Sequence, residues 1–371
     1  MAMEEGFCES LCFGIVTAKS AELRSADSRG RLSPHKANSV TLLPHMRAAA
    51  ILGLGRSPKD LGPFQVDTNI EWRMGMPGSG DAADVVLLFG GDGTIHRHLG
   101  QLVRLGLPVL VVPAGSGNDF ARALGLRRVR DSLAAWRRFC GGAGNVRSID
   151  LGVISPLESA GGAPAPHSLG RESDARYFCC VAGVGLDGEV SERANRLPRW
   201  LRGHGGYVLS LAPTIFSFAA LAMKILTRAE GSYPVNEAGR GESAGWTMRS
   251  DRPTLLAAFA NTSTYGGGMK IAPRAQMDDG LLDVCIVGGV DPFKLFCMFP
   301  TIFSGRHLKV KEVEYFQAGR VRVETERPSD VYADGEFVCR TPVEVGVERA
   351  ALKVVTGRKD STHVSAEDLS G

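Results

Sequence analysis

The sequence has little net charge for its length. Its 371 residues carry a formal net charge of +3, and 44% of them are hydrophobic and 22% charged. So small an excess allows contact with a nucleotide or an anionic membrane surface, but it lacks the basic footprint of a nucleic-acid-binding protein. The composition is that of a globular protein, and the length suits two domains with separate cores. No nucleic-acid partner is therefore predicted.

The cysteines lack the spacing of a zinc site. The sequence contains eight of them but no Cys-x-x-Cys pair and no Cys/His cluster. Cys179, Cys180 and Cys285 lie in apolar runs that are typical of small core residues. The first ten residues also lack the basic start and apolar run of a signal peptide. A reducing, cytoplasmic location is therefore predicted.

One hydrophobic run, residues 207–226, is long enough to span a bilayer. It contains Pro213, several hydroxyl groups and Lys224, and it lies among β-rich segments. We therefore predict a buried or surface-seeking helix here rather than a membrane span.

The amino-terminal part of the chain changes character near Met46. Residues 1–45 show no sustained periodicity and are rich in Ser, Arg and small residues, which predicts a disordered tail. From Met46 onward, wholly apolar runs such as Val85–Phe89 and Pro108–Val112 alternate with helical patterns such as Ile95–Leu105. Repeated β-loop-α units of this kind predict an α/β domain with a doubly wound parallel sheet over residues 46–150.

After about Asp150 the pattern changes to short β-rich runs separated by turn residues. Such runs predict an antiparallel β-sandwich domain over residues 151–347. Two polar, glycine-rich stretches, 155–175 and 229–252, are predicted to be exposed loops within it. For the last segment, 348–371, a return to the first domain is left as an open alternative.

The strongest motif is GGDGT, which directly follows the first of these apolar strands. Paired glycines let backbone N–H groups approach an anion, and the start of the next helix adds its positive dipole end. A carboxylate there would repel phosphate unless it handles Mg²⁺ or takes a proton from an acceptor. The alternative is a plain turn in which the Asp only caps a helix. The motif consists of Gly90, Gly91, Asp92, Gly93 and Thr94.

A second glycine-rich loop follows the next strand. Its Asn118 is also a candidate helix N-cap, with Asp119 in the first turn. Loops that follow neighbouring parallel strands meet at the carboxyl edge of a sheet, where ligands bind. The two loops together therefore favour a phosphate site over two plain turns. The second loop contributes Gly115, Ser116, Gly117, Asn118 and Asp119.

These motifs resemble those of a known family. PAGSGNDFARALG (113–125) is similar to the P-x-G-T-x-N-D-x-A-R pattern of the diacylglycerol kinase catalytic domain, and GVGLDGE (183–189), PRAQMDDGLLDV (273–284) and ADGE (333–336) continue the resemblance in the same order. The resemblance, to the diacylglycerol kinase and sphingosine kinase family and its soluble bacterial members, implies an ATP- and Mg²⁺-dependent lipid kinase of phospholipid biosynthesis. Its implied substrate is diacylglycerol or a related lipid alcohol. Peripheral membrane contact is implied, and a homodimer is left open.

The resemblance also assigns roles to individual residues. Asp334 is implied as the general base on the lipid hydroxyl with Glu336 beside it, although Asp334-Gly335 between β-rich runs is also a common hairpin turn. Asp92 competes for the base role, because sphingosine kinases assign it to the GGDGT aspartate. Asp187 is implied to face the lipid. The implied nucleotide-binding residues are Gly90, Gly91, Asp92, Gly93, Thr94, Gly115, Ser116, Gly117 and Asn118.

Two magnesium sites are implied as well. Asp92 and Asp119 would hold the active-site Mg²⁺. A structural Mg²⁺ would bind Asp279 and the carbonyls of Gln276 and Leu281, with Gln276 standing where the family usually has Lys. Oxygen ligands of this kind suit Mg²⁺.

Some segments keep two interpretations. The run 207–226 and Pro292–Phe303 are either ordinary core or the wall of a lipid tunnel with a membrane-facing entrance. Arg193, Arg196 and Arg199 form either a solvated face or a headgroup contact. His96 and His98 are predicted to be surface or packing residues.

The sequence departs from the family at its amino-terminal lobe. LGLGRS (52–57) replaces the usual N-P-x-S-G, and only about forty residues separate this strand from GGDGT, so part of the lobe is expected to be reduced. This motivates one rival, a non-catalytic lipid-binding protein of kinase fold. The other rival is a kinase of a soluble acceptor, such as NAD kinase.

Overall fold

The computed structural model describes residues 25–26, 32–33, 46–65, 69–157, 176–196, 213–228 and 245–357. Strands β1 (Ser25–Ala26) and β2 (Leu32–Ser33) pair with each other in a separate unit, Met1–Pro44. The rest of the predicted tail, 1–45, lies outside the described residues. All other elements belong to the unit His45–Gly371.

The first half of this unit is a parallel sheet. Its strands stand in the order β4, β3, β5, β6, and every neighbouring pair is parallel. The side chains of β5 and β6 are buried along their whole length, as predicted for strands covered on both faces. The elements are β3 (Met46–Leu52), β4 (Ile70–Met74), β5 (Val85–Gly90), α1 (Asp92–Leu105), β6 (Val109–Pro113), α2 (Asp119–Ala123) and α3 (Val129–Cys140).

Helix α1 follows β5 directly and packs through one apolar face. Ile95, Leu99 and Leu102 are buried at the three- and four-residue spacing of an amphipathic helix. Gly106 ends the helix with φ of 63°, a left-handed conformation in which its N–H reaches the carbonyls of Leu102 and Val103. This packing places the first turn of α1, with Asp92, at the carboxyl end of β5.

The connections at the start of the parallel sheet are short. A 3₁₀ helix, Pro58–Phe64, follows β3, and another, Gly80–Ala82, precedes β5. Phe64 packs edge-on against Phe89 at 5.3 Å between ring centroids, and its carbonyl accepts a hydrogen bond from the Trp136 indole. The 3₁₀ helix Pro58–Phe64 therefore packs on the parallel sheet through Phe64.

The second half is antiparallel. Its strands enclose a second cluster of buried apolar residues, including Phe178, Val184, Phe259, Ile286 and Val323. The strands are β7 (Val146–Pro156), β8 (Arg176–Phe178), β9 (Val181–Gly185), β10 (Leu221–Arg228), β11 (Trp246–Ala260), β12 (Leu282–Gly288), β13 (Val313–Ala318), β14 (Arg320–Thr325), β15 (Asp330–Ala333), β16 (Glu336–Arg340) and β17 (Val343–Val355). The helices are α4 (Leu186–Arg196), α5 (213–217) and α6 (Pro292–Met298), with 3₁₀ helices at Phe299–Ser304 and Arg306–Lys309. The predicted fold class, a parallel α/β sheet followed by an antiparallel sandwich, is confirmed.

Strand β17 belongs to both halves. It pairs antiparallel with β14 and β7, and near its end Val354 pairs parallel with Val109 of β6. Beyond it, Thr356 N–H donates to Asn145 O at 2.9 Å. The end of the described chain therefore lies against the first half, and the exact domain bounds stay a prediction.

Two local predictions are wrong over part of their length, although residues 213–217 of the predicted helix 207–226 do form α5. Within the predicted helix 207–226, Leu221–Leu226 belongs to β10, and within the predicted loop 229–252, residues 246–252 belong to β11. The reason is pairing on both sides: β10 lies between β11 and β14, where Met223 and Ile225 are buried and Lys224 is exposed. Tertiary pairing thus overrides the helix propensity of these residues. Residues 158–175, 207–212 and 229–244 lie outside the described part.

Within the described residues, every helix is too short or too polar to cross a bilayer.

Candidate active site

The two glycine-rich loops touch each other at the carboxyl edge of the parallel sheet. Ala114 N–H donates to Gly90 O at 2.9 Å. A Cβ atom on Gly115 would lie 2.5 Å from the Cα of Gly91, and one on Gly91 would lie 2.8 Å from the Cα of Gly115. Neither position has room for a side chain, so the loops pack backbone against backbone, which leaves a surface that an anion can approach closely.

A third loop approaches from β3. Gly53 N–H donates to Phe89 O at 2.7 Å, and a Cβ on Gly53 would lie 2.9 Å from the hydroxyl of Thr94. This is the segment that replaces the family's N-P-x-S-G pattern. It therefore contacts the GGDGT loop despite its different sequence.

Asn118 locks the second loop from within. It adopts φ of 55°, and its amide accepts from Gly115 N–H at 2.9 Å and donates to Gly115 O at 2.6 Å. Its side chain does not cap α2, although it occupies the N-cap position. A non-glycine residue held in the left-handed region is typical of ligand-binding loops.

Asp92 supplies the cap instead. Its Oδ2 accepts from Asp119 N–H at 3.0 Å and its Oδ1 from Phe120 N–H at 3.1 Å. The side chain at the start of α1 thus caps α2, so the first residues of both helices are held together. Burial raises the pKa of Asp92 to about 6, and the charges of Asp119 and Asp334 add to the rise against these two hydrogen bonds.

Asp119 is buried and links the loop to the second half of the chain. It is ion-paired with Arg122, and its Oδ2 accepts from Gly267 N–H at 2.7 Å. A Cβ on Gly117 would lie 2.8 Å from Oδ2 of Asp92 and 3.9 Å from Oδ2 of Asp119. The two carboxylates therefore face the same small space beside a glycine.

This arrangement fits a magnesium ion by its donor chemistry. Burial, and then the charge of Asp119, disfavour the ionised form of Asp92, and a hard divalent cation would offset both effects. Mg²⁺ is commonly held by one or two carboxylates together with substrate phosphates. Asp92 and Asp119 are the residues that would hold it.

Asp334 lies at the turn between β15 and β16 and is fully buried. Its Oδ1 accepts from the N–H groups of Cys180 at 2.8 Å and Val181 at 3.3 Å, and its Oδ2 accepts from Cys179 N–H at 2.9 Å. Its φ is 51°. Burial by itself would raise the pKa of this carboxyl, but the hydrogen bonds from His96 and from the backbone hold it below its usual value.

His96 is the functional candidate that the sequence interpretation missed. Its Nδ1 lies 3.3 Å from Oδ2 of Asp334, which joins α1 to the β15–β16 turn across 238 positions of sequence. Burial lowers the pKa of His96, but the hydrogen bond and charge of Asp334 raise it above its ordinary value. The signal available in the sequence was position: His96 lies one helical turn after Asp92.

Glu336 completes this contact from the exposed side of the turn. A Cβ on Gly93 would lie 2.9 Å from Oε1 of Glu336. The structure therefore brings Asp92, Glu336, Asp334 and His96 to one side of the first turns of α1. Asp187 lies in the first turn of α4, but its side chain lies outside the described part, as do those of Arg196 and Arg199.

The second implied magnesium site lies elsewhere. Oδ1 of Asp279 accepts from Leu281 N–H at 3.0 Å, and its Oδ2 accepts from Gln317 at 3.1 Å. Gln317 also donates to Asp283, a buried carboxylate that the sequence interpretation missed, at 3.2 Å. Burial raises the pKa of Asp283, and the charge of Asp279 adds to the rise. The oxygen-rich cluster suits Mg²⁺ by its donor types, and the carbonyls of Gln276 and Leu281 stay a prediction.

An apolar pocket lies in the second half of the chain. Its empty space is about 620 Å³, a volume that includes space open to solvent. Tyr265 and His307 are the polar side chains among residues that are otherwise aliphatic or aromatic. The lining includes Leu186, Val190, Leu256, Leu295, Phe299 and Ile302.

Comparisons with known proteins agree with this architecture. Residues 78–154 match the family model of the diacylglycerol kinase catalytic domain, and residues 180–356 match that of the YegS C-terminal NAD kinase beta sandwich-like domain. A diacylglycerol kinase of Mycobacterium tuberculosis is 33% identical over 280 residues, which cover 74% of this chain and 77% of the relative. One of Bacillus subtilis is 27% identical over 263 residues, which cover 70% and 74%.

A solved structure shares the fold. The crystal structure of a diacylglycerol kinase from Bacillus anthracis superposes with a TM-score of 0.54 at 15% identity, and the match covers 84% of this chain and 97% of that one. The shared fold and the identity of 33% over most of the mycobacterial enzyme together indicate common descent. The chain belongs to the diacylglycerol kinase family of lipid kinases.

Proposed function

We propose that this chain is an ATP- and Mg²⁺-dependent lipid kinase that transfers the γ-phosphoryl group to the hydroxyl of diacylglycerol or a related lipid alcohol. One observation carries the proposal. Tyr265 lines the apolar pocket, and two residues later Gly267 N–H donates to Asp119 of the phosphate loop. A single short turn therefore connects a pocket suited to acyl chains with a site suited to phosphate.

The glycine loops bind and orient the nucleotide. Their backbones approach each other too closely for side chains, so N–H groups and the positive end of α1 face the phosphates. Mg²⁺, when bound, neutralises charge that develops on the phosphates. Asp92 and Asp119, whose carboxylates lie beside Gly117, would hold it.

Asp92 is the better candidate for the base. Each of its oxygens accepts one backbone N–H, which leaves lone pairs for the acceptor hydroxyl and for Mg²⁺. Asp334 is fully buried, accepts three backbone N–H groups and has a lowered pKa. To act as the base, Asp334 would first have to give up one of these hydrogen bonds.

The proposed transfer forms one bond to the γ-phosphorus and breaks another. The lipid hydroxyl oxygen forms a bond to the γ-phosphorus, the bond from phosphorus to the β,γ-bridging oxygen breaks, and ADP leaves with that electron pair. The transition state is loose, so Asp92 mainly orients the hydroxyl and accepts its proton late. Asp334 and His96 hold the β15–β16 turn, with Glu336, against α1.

The same proposal places the protein in phospholipid metabolism, with its substrate supplied by a membrane.

The direct test is a transfer assay with labelled ATP and Mg²⁺. The acceptors are detergent-dispersed diacylglycerol, other lipid alcohols from a total lipid extract, and NAD, each resolved by chromatography. We expect label in a lipid and none in NAD, and its loss in Asp92→Asn. Label in NAD would support a soluble-acceptor kinase, and lipid binding without transfer would support a non-catalytic lipid-binding protein.

A further inference from the structure

The segment Pro292–Ser304, which forms α6 and the following 3₁₀ helix, is apolar on both sides. On one side Leu295, Met298, Phe299 and Ile302 line the apolar pocket. On the other side Phe293, Phe296 and Phe303 lie in solvent, each between 44% and 68% exposed. A helix that is apolar all round is expected to be buried on both sides, so within the described part of the chain one side lacks a packing partner.

The exposed side continues onto α5. The ring of Phe216, which is 58% exposed, lies 5.9 Å from that of Phe296 between centroids. We name Phe216, Phe293, Phe296 and Phe303 the phenylalanine patch. Four large aromatic side chains on one surface exceed the scattered apolar residues that are normal on a protein.

Cations flank the patch. Lys270 is held beside it, because its N–H donates to Ile302 O at 3.1 Å, and Arg306 and Lys309 follow in the next 3₁₀ helix. All three are exposed, and none forms an ion pair within the described residues. Arg193 reaches α5 by donating to Ser217 Oγ at 3.0 Å.

The acidic groups near the patch are already engaged. Asp291 caps α6 by accepting from Phe293 and Lys294 N–H groups, and Glu312 is paired with Lys294 at 2.7 Å. Among these described groups, the three exposed cations outnumber Asp291, which accepts helix N–H groups, so the local charge is positive.

We propose that the phenylalanine patch and its flanking cations dock this protein on an anionic lipid bilayer. The proposal rests on the function proposed above and identifies the surface through which that site meets its substrate. Aromatic side chains enter the interfacial region while Lys270, Arg306 and Lys309 pair with anionic headgroups. Because the other side of the same segment lines the pocket, docking brings the wall of the pocket to the bilayer, and an acyl chain passes between them without crossing water.

A second copy of the chain fits this surface less well. A two-fold contact places the same patch on both partners, so Lys270, Arg306 and Lys309 of one copy would face the same cations of the other. A bilayer supplies the opposite charge. The observations therefore favour a membrane over self-association.

The test measures sedimentation of the full chain with vesicles of phosphatidylcholine alone or with added phosphatidylglycerol. We expect binding that rises with the anionic lipid, and a loss of about tenfold or more in Phe293→Ser/Phe296→Ser. Lys270→Glu/Lys309→Glu should abolish the dependence on phosphatidylglycerol. The matched controls are Met74→Ser/Met248→Ser, at similarly exposed apolar positions away from the patch, and Lys59→Glu/Arg127→Glu, at exposed cations elsewhere.

A parallel assay separates this proposal from the proposed function. With a short-chain diacylglycerol in solution and no vesicles, the patch variants should turn over substrate as the wild type does. Equal vesicle binding by the patch variants and the wild type would overturn the docking surface, as would a wild type that binds no vesicles. A dimer that dissociates in Phe293→Ser/Phe296→Ser, without vesicle binding, would overturn it in favour of self-association. Vesicle binding without transfer to any lipid would leave the docking surface standing and contradict the kinase.

Discussion

Asp92 has a structural role in capping a helix and is also the proposed base. It begins α1, caps α2 and faces Asp119 across the space beside Gly117. A simple cap on a solvated turn would keep an ordinary pKa, whereas burial raises this one to about 6. The folded protein thus holds a charge at a place where the charge is unfavourable unless a cation joins it.

Asp92→Asn is expected to reduce turnover about a hundredfold or more, because a group that orients the acceptor and holds the metal is lost. The pKa of Asp92 is about 6 in the folded protein, above its unfolded value of 3.8. Protonated Asp92 therefore stabilises the wild-type fold below about pH 4, and this contribution is lost as the pH rises through about 6. Without Mg²⁺, the melting temperature of the variant relative to wild type should therefore increase from about pH 4 to about pH 7. Thermal melts across this range test the stability, and activity within a few-fold of wild type would contradict the catalytic role.

Asp334→Asn is expected to destabilise the fold. The amide replaces one carboxylate oxygen with an N–H₂ group, so either the Cys179 N–H or the N–H groups of Cys180 and Val181 lose their acceptor. Leaving a buried donor unpaired costs about 1–3 kcal/mol. Urea unfolding measures this. Glu336→Gln, at an exposed position of the same turn, is the matched control and should leave stability unchanged. Normal stability with slow turnover and normal ATP binding would instead return the base role to Asp334.

At the scale of elements, the contact between the two glycine loops is what assembles the proposed phosphate site. The β5–α1 and β6–α2 turns come together because their strands are neighbours in a parallel sheet. Their approach is limited by backbone atoms, which makes it sensitive to a single methyl group.

Gly115→Ala is expected to weaken ATP binding about tenfold or more while the fold survives, because the new Cβ would lie 2.5 Å from Gly91 Cα and must push the loops apart. Titration of ATP by calorimetry measures the effect. Gly78→Ala, where a Cβ would meet nothing within 4 Å, controls for loss of glycine flexibility. Equal ATP affinity in the two variants would show that the loop contact does not shape the site.

Strand β10 shows the limit of local patterns at this scale. Leu221, Met223 and Ile225 alternate with Ala222 and Lys224, a period-two pattern embedded in a run with good helix formers. The alternation was present in the sequence, but the length of the apolar run favoured a helix. Pairing with β11 and β14 decided the outcome, since the two strands satisfy the backbone of β10 on both edges.

At the scale of the whole molecule, β17 makes the two halves depend on each other. It lies beside β14 and β7 in the antiparallel part and beside β6 in the parallel part, and His96 and Asp334 connect the halves again at the site.

We therefore expect residues 46–357 to unfold in one cooperative transition. Loss of either half would break the pairing of β17 with β6 and the contact between His96 and Asp334. Differential scanning calorimetry tests this by comparing the calorimetric with the van't Hoff enthalpy, with ATP analogues added in a second scan. Two resolved transitions, of which only one responds to the nucleotide, would show that the halves are independent.

The sequence by itself determined the parallel strands, the antiparallel character of the second half, the two glycine-rich loops and the family. These features depend on local signals: buried apolar runs, glycines at strand ends, and short motifs in a set order. Tertiary structure alone decided which groups meet. Asp92 caps a helix 27 positions away, His96 contacts a turn 238 positions away, and Asp334 is buried among backbone donors rather than presented to a substrate. Local periodicity carries no information about such pairs. They depend on the topology of the folded sheet, which brings particular strand ends and turns together.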